Sequence, residues 1–138
     1  MAGLAWELKA PTLIGLALTG KLSSWCSPKD VILEVADILT VSGVKGAIVE
    51  YCGSGCENIL YTEMGTICNK GAEIGATTSI ASYIPSMREY LASTQRESID
   101  DECDAVASEL LCKDTNFTNY DATITIDLTR LQSPLNGR

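Results

Sequence analysis

The chain contains no histidine. That absence removes the side chain most used as a general base near neutrality and as a metal ligand, along with every Ser-His or Cys-His nucleophile pair. Chemistry here has to come from carboxylates, amides or thiols. Aromatic residues are scarce, at 6% with a single phenylalanine, and basic residues are outnumbered: ten Lys plus Arg face eighteen Asp plus Glu, for a net charge of −8. A field of that sign repels phosphate backbones and anionic lipid, so neither nucleic acid nor membrane surface is an expected partner. Long apolar runs are also missing. The longest early one, Leu13 to Leu18, is bracketed by Lys9 and Lys21 and falls far short of the ~20 residues that span a bilayer. A secretory leader would need an apolar stretch where Trp6-Glu7-Leu8-Lys9 stands, so a reducing compartment is expected, not secretion.

What is present fits one soluble α/β domain. With 138 residues, 46% of them hydrophobic, the chain leaves no room for a second domain of ordinary size. One unit over 1–138 is expected, loose only at Met1–Leu4 and Ser133–Arg138. Thr12–Thr19 is a mostly apolar run closed by Gly20, the form of a strand covered on both faces. Ser27-Pro28-Lys29-Asp30 supplies an N-cap, a first-turn proline and a first-turn acid. Val31, Ile32, Val35, Ile38 and Leu39 then recur at helical spacing until Ser42-Gly43. Gly46–Tyr51 reads as a second strand, which completes a strand-helix-strand unit of the parallel α/β kind. Helical spacing resumes from Asn58 to Ile67, Gly71 and Gly75 interrupt it, and Thr77–Ile80 is a third, short strand. Helices are expected to open at Pro85-Ser86, with Met87, Tyr90 and Leu91, and at Ser98, with Val106, Leu110 and Leu111. Ala122–Leu128 alternates apolar and polar residues with period two, as a last strand with one buried face. The expected fold is layered helices on a central, mostly parallel sheet.

Four motifs invite a chemical reading. Gly53-x-Gly55 after the second strand could open a phosphate-binding loop, but the full dinucleotide fingerprint and the P-loop lysine-serine pair are absent, so a tight turn is expected. The six cysteines, Cys26, Cys52, Cys56, Cys68, Cys103 and Cys112, match neither a zinc ribbon nor a CxxC redox pair. Cys52, Cys56 and Cys68 offer three thiolates, the number that would hold a four-iron cluster on three of its corners, yet buried cysteine usually acts as a small hydrophobe. Asn116-Phe117-Thr118 matches a glycosylation acceptor, which matters only after secretion. The most informative stretch is Ile67–Ser79, where Asn69 and Glu73 stand four residues apart in a glycine-rich setting. On a helix they would share a face, and an amide beside a titrating carboxylate can hold a hydroxyl and move its proton.

That stretch, Ile67-Cys-Asn-Lys-Gly-Ala-Glu-Ile-Gly-Ala-Thr-Thr-Ser79, resembles the aconitase family, whose segment reads Ile-Cys-Asn-Met-Gly-Ala-Glu-Ile-Gly-Ala-Thr-Thr-Ser. The resemblance extends through Leu18–Trp25, Ser27–Leu33, Ile38–Val41, Gly46–Tyr51 and Asn136-Gly137, nearly the whole chain. It implies the second of four domains of a mitochondrial-type aconitase, an enzyme several times longer that interconverts citrate and isocitrate through cis-aconitate with a [4Fe-4S] cluster acting as a Lewis acid. By position, Asn69 matches the family's asparagine beside the cluster and Glu73 the glutamate that handles the departing hydroxyl. The cluster cysteines and the serine base belong to other domains, and Cys52 and Cys56 are not at cluster-ligand positions. Departures gather nearby. Lys70 replaces Met, Glu63 and Gly65 change the approach, Cys52-Gly53-Ser54 replaces a His-Gly-Pro run, and Ala81–Ile84 replaces a Phe-Pro-Tyr-Asn run.

The resemblance therefore implies a domain without hydro-lyase activity, and without cofactor or metal, on its own. The expected role is an accessory or assembly subunit of a larger mitochondrial complex, with other protein subunits as partners. The alternative is one piece of a split or truncated aconitase, whose [4Fe-4S] cluster sits on other chains. By resemblance the location is the mitochondrial matrix side, with the cytoplasm as the alternative.

Overall fold

Strand β1 (Thr12–Thr19) runs through the middle of a four-stranded sheet in a computed structural model that describes residues 3, 5, 7, 9–42, 44–110, 112 and 117–133. Its five successive residues Ile14 to Leu18 are buried, as a strand covered on both faces requires. One face carries Ile14, Leu16 and Leu18 into the core. The other carries Gly15 and Ala17, and a Cβ at Gly15 would lie 2.8 Å from the Phe117 ring and 3.0 Å from that of Tyr120. Small residues on that face let two aromatic rings lie against the sheet.

Helix α1 (Pro28–Ser42) begins where its capping residues predict. The Asp30 carboxylate accepts hydrogen bonds from the Ser27 N–H (2.7 Å), the Ser27 hydroxyl (2.8 Å) and the Ser133 hydroxyl (3.0 Å). Val31, Ile32, Val35 and Leu39 face the core. Strand β2 (Ala47–Cys52) pairs parallel to β1 in register Thr12↔Ala47 to Ala17↔Cys52. Strand β3 (Thr78–Ala81) then pairs parallel to β2, and β4 (Ala122–Asp127) returns to pair parallel to β1. The order is β3-β2-β1-β4, and every pairing among the described residues is parallel. Because the strand order reverses after β3, right-handed connectivity sends the last crossover over the opposite face of the sheet. The result is a small doubly wound α/β sheet flanked by helices.

Several element boundaries differ from the sequence reading. The helix expected over Asn58–Ile67 is two elements: a 3₁₀ turn over Ser54–Asn58, then α2 (Tyr61–Asn69). Ile59 and Leu60 between them have extended backbones (ψ 134° and 152°), and the Glu63 carboxylate accepts the free Leu60 N–H at 2.9 Å. Glu63 thus serves the start of a helix. Helix α3 covers Pro85–Ser93, and the helix expected from Ser98 is split at Val106 into α4 (Glu97–Ala105) and α5 (Ala107–Leu110). Neither α3 nor α4 buries a residue fully. They hold each other through Tyr83, whose hydroxyl donates to Asp100 (2.7 Å), and through Arg88, which pairs with Asp100 (3.3 Å) and Asp104. β4 ends at Asp127, one residue before the expected Leu128, because Asp127 turns the chain by accepting the Thr129 N–H at 3.0 Å. Within the expected loose ends, Met1–Leu4 and Ser133–Arg138, only Gly3 and Ser133 are described. Asn116 of the acceptor motif also lies outside the described residues.

The core joins Leu16 and Leu18 of β1, Val49 and Tyr51 of β2, Val31, Val35 and Leu39 of α1, and Met64 and Ile67 of α2. No described helix is long and apolar enough to cross a membrane.

Candidate functional site

A parallel sheet has two unlike edges. Helices α1 and α2 start near the carboxyl ends of β1 and β2 and run back to the amino ends of the strands that follow. Asn69, the last residue of α2, and Glu73 therefore lie at the amino edge, beside the entry to β3. The Thr77 N–H fixes that entry by donating to Ala47 O at 2.7 Å.

At Asn69 (φ −62°, ψ −31°) the helix tightens into a 3₁₀ turn over Lys70–Ile74, which ends at Gly75 with φ 89° and ψ 5°. Gly75 N–H bonds Ala72 O and Ala76 N–H bonds Gly71 O, both at 3.1 Å. These are the two backward bonds of a left-handed glycine cap. The reading that places Asn69 and Glu73 on one helical face is therefore corrected: a 3₁₀ winding separates them, and 3.0 residues per turn do not superpose positions four apart. Both side chains remain exposed, two residues to either side of Gly71. The cation expected beside the site is paired within it, since Lys70 Nζ lies 2.5 Å from Glu73 Oε1 with side chains 35% and 67% exposed. Such a pair contributes about 0–1 kcal/mol and yields to competition.

Gly71 explains a glycine that sequence spacing reads only as an interruption. A Cβ there would lie 2.1 Å from the Ser79 hydroxyl oxygen. That oxygen and the Tyr51 hydroxyl are buried close to each other. Nothing in the local pattern announces this contact, because it joins the turn to a strand that pairs elsewhere.

The carboxyl edge holds a cleft of about 760 Å³, lined by Thr19, Cys52, Ser54, Cys56, Ile84, Arg88, Cys112 and Phe117 among others. Gly53 lines it too, and Gly55 lies on the same turn. A Cβ at Gly53 would meet Leu18 O at 2.4 Å, and one at Gly55 would meet Leu18 C at 2.7 Å. The glycines are there to let the turn lie on the β1 backbone, which fills the space a phosphate would need. The tight-turn reading holds. Burial pushes the Cys52 and Cys56 thiols up to about 12 and raises Cys68 as well, so all three stay protonated and poorly nucleophilic near neutrality. All six cysteines are free thiols.

No group of three or more Cys, Asp or Glu converges on a metal-sized position among the described residues. Cys52 Sγ instead donates to Leu16 O at 3.7 Å, while Cys68 packs against the core from α2. The three thiols offered by spacing do not fit an iron-sulfur cluster. Spacing also misses a polar chain through the sheet: Tyr120 donates to Glu50 at 2.8 Å and touches Cys112 Sγ at 3.4 Å. These partners lie up to 70 residues apart, beyond any periodicity.

The Aconitase family (aconitate hydratase) matches the chain over residues 1–138. Over 137 residues, 99% of the chain, it is 56% identical to the mitochondrial aconitate hydratases of Schizosaccharomyces pombe and Gracilaria gracilis and 55% identical to a probable mitochondrial aconitate hydratase of Caenorhabditis elegans. In each case the chain spans about 17% of the relative's length.

Proposed function

Because this chain belongs to the aconitase family, we propose that it forms one wall of a citrate–isocitrate site, to which it contributes Asn69 and Glu73, while the remaining machinery lies on polypeptide outside these 138 residues. The observation that carries this reading is the exposure of both side chains on a single turn at the amino edge of the sheet, where a second domain can meet them. A carboxamide donates and accepts at once, so Asn69 can hold a substrate hydroxyl or carboxylate, and Glu73 can exchange a proton with a hydroxyl as it leaves or returns. The described thiols do not fit a cluster; in a complete enzyme an iron-sulfur cluster held by other residues would supply Lewis-acid polarisation of the hydroxyl. The names of the relatives place them in mitochondria, and the same compartment is proposed for this chain.

The test is made in the full-length polypeptide. Asn69→Ala and Glu73→Gln are each expected to lower kcat for cis-aconitate hydration by about 10²–10⁴-fold, the span of a lost acid–base or orienting group. Activity within twofold of the parent in both variants would overturn the reading.

One observation favours a second reading, an accessory or assembly subunit within a larger mitochondrial complex. Glu73 is occupied by Lys70, as it could be in a site that no longer turns over. That reading expects the native chain to co-purify stoichiometrically with other proteins; a lone monomer in native extracts would count against it.

A further inference from the structure

Asn69 and Glu73 flank Gly71 symmetrically, and Gly71 is where their turn rests on the sheet. The Ser79 oxygen occupies the position a side chain at residue 71 would take, 2.1 Å from an ideal Cβ. Ser79 stands on β3, paired with Val49 of β2, so its height is fixed by the sheet. Its hydroxyl is buried close to that of the fully buried Tyr51, and its volume fills the space beneath Gly71. The turn is tied at one end to α2 and at the other by Thr77 to Ala47; between those anchors it packs on α1, with Ile74 against the core, and Gly71 is its point of approach to Ser79.

We propose that Ser79 is a positioning residue that acts through Gly71 as a steric stop, fixing the relation of the Asn69 carboxamide to the Glu73 carboxylate. The inference rests on the reading of Asn69 and Glu73 as substrate-facing groups and adds the device that aims them. An added methyl at residue 71 lifts the turn, and removing the Ser79 side chain restores the space.

The experiment has two arms. In the 138-residue chain, amide resonances of Asn69 and Glu73 are compared for the parent, Gly71→Ala, Ser79→Gly and the double variant. Both amides are expected to move in each single variant and to return toward the parent in the double one, the non-additivity of groups in contact. Shifts confined to residues adjoining the substitution, or no return in the double variant, would overturn the proposal. Should Gly71→Ala fail to fold, Ser79→Gly decides alone, because loss of the stop lets the turn settle inward and still moves both amides. In the full-length enzyme, Gly71→Ala is expected to lower kcat about 10–100-fold, the scale of an ångström-sized misplacement, with KM changed less, and the double variant is expected to recover most of it. If Asn69→Ala and Glu73→Gln are inactive while Gly71→Ala is not, the stop is refuted. If those two variants stay active, the functional reading fails, and the resonance arm still judges the stop.

Discussion

Single residues in this chain are chosen for reasons that their neighbours in space supply. Gly75 is required by its left-handed backbone, whereas Gly71 is required by the atom beneath it. Gly75→Ala is expected to cost about 1 kcal/mol, the penalty of placing a Cβ at positive φ, read as a lower urea midpoint with unchanged m-value. Asp30 gives a pH-dependent counterpart. Burial alone would raise its pKa, but the three hydrogen bonds from Ser27 and Ser133 outweigh that and hold it below its ordinary 3.8. A depressed carboxylate contributes stability that is fully present above the unfolded value and is lost as pH falls through the folded one. The stability gap between the parent and Asp30→Asn should therefore be widest near neutrality and shrink below about pH 3.8. Denaturant titrations at pH 7 and pH 3 measure it; a gap of the same size at both would show that the carboxylate charge is irrelevant.

At the level of elements, legibility followed range. Strand β1 and helix α1 could be read directly, because continuous burial and a 3.6-residue apolar period each leave a local mark at Ile14–Leu18 and at Val31, Ile32, Val35 and Leu39. The start of α2 could not, since Ile59 and Leu60 are apolar residues that sit at helical spacing while their backbones are extended. The site divided in the same way. Asn69 and Glu73 were nameable as candidates through resemblance, whereas the Gly71–Ser79 contact and the Glu50–Tyr120–Cys112 chain join residues that only the sheet brings together. Packing predicts unequal costs along it. Leu16→Ala, in the buried centre of β1, is expected to cost about 2–5 kcal/mol. Ile80→Ala, 46% exposed on edge strand β3, should cost clearly less. Equal losses by chemical denaturation would mean that β3 is covered in solution.

For the molecule as a whole, the fold separates two chemistries onto opposite edges of one sheet. The amino edge displays an amide and a carboxylate to solvent, while the carboxyl edge shelters neutral thiols in an apolar cleft. Alkylation with iodoacetamide should report this division. Cys52 and Cys56, 2% exposed, are expected to react only at the rate of unfolding, and the half-buried Cys26 and Cys103 to react earlier; mass spectrometry of quenched digests gives the order. Early labelling of Cys52 would mean that the cleft opens without global unfolding.

The all-parallel order carries a consequence for biosynthesis. Ile14 is aligned with Ala122, a partner that leaves the ribosome more than a hundred residues later, and a sheet so wired contains no hairpin to form in the meantime. One flank of the central strand must therefore wait, unzipped, until Ala122–Asp127 has been made. A premature stop codon or a proteolytic nick just ahead of Ala122 would leave that flank bare and turn the domain into a seed for aggregation.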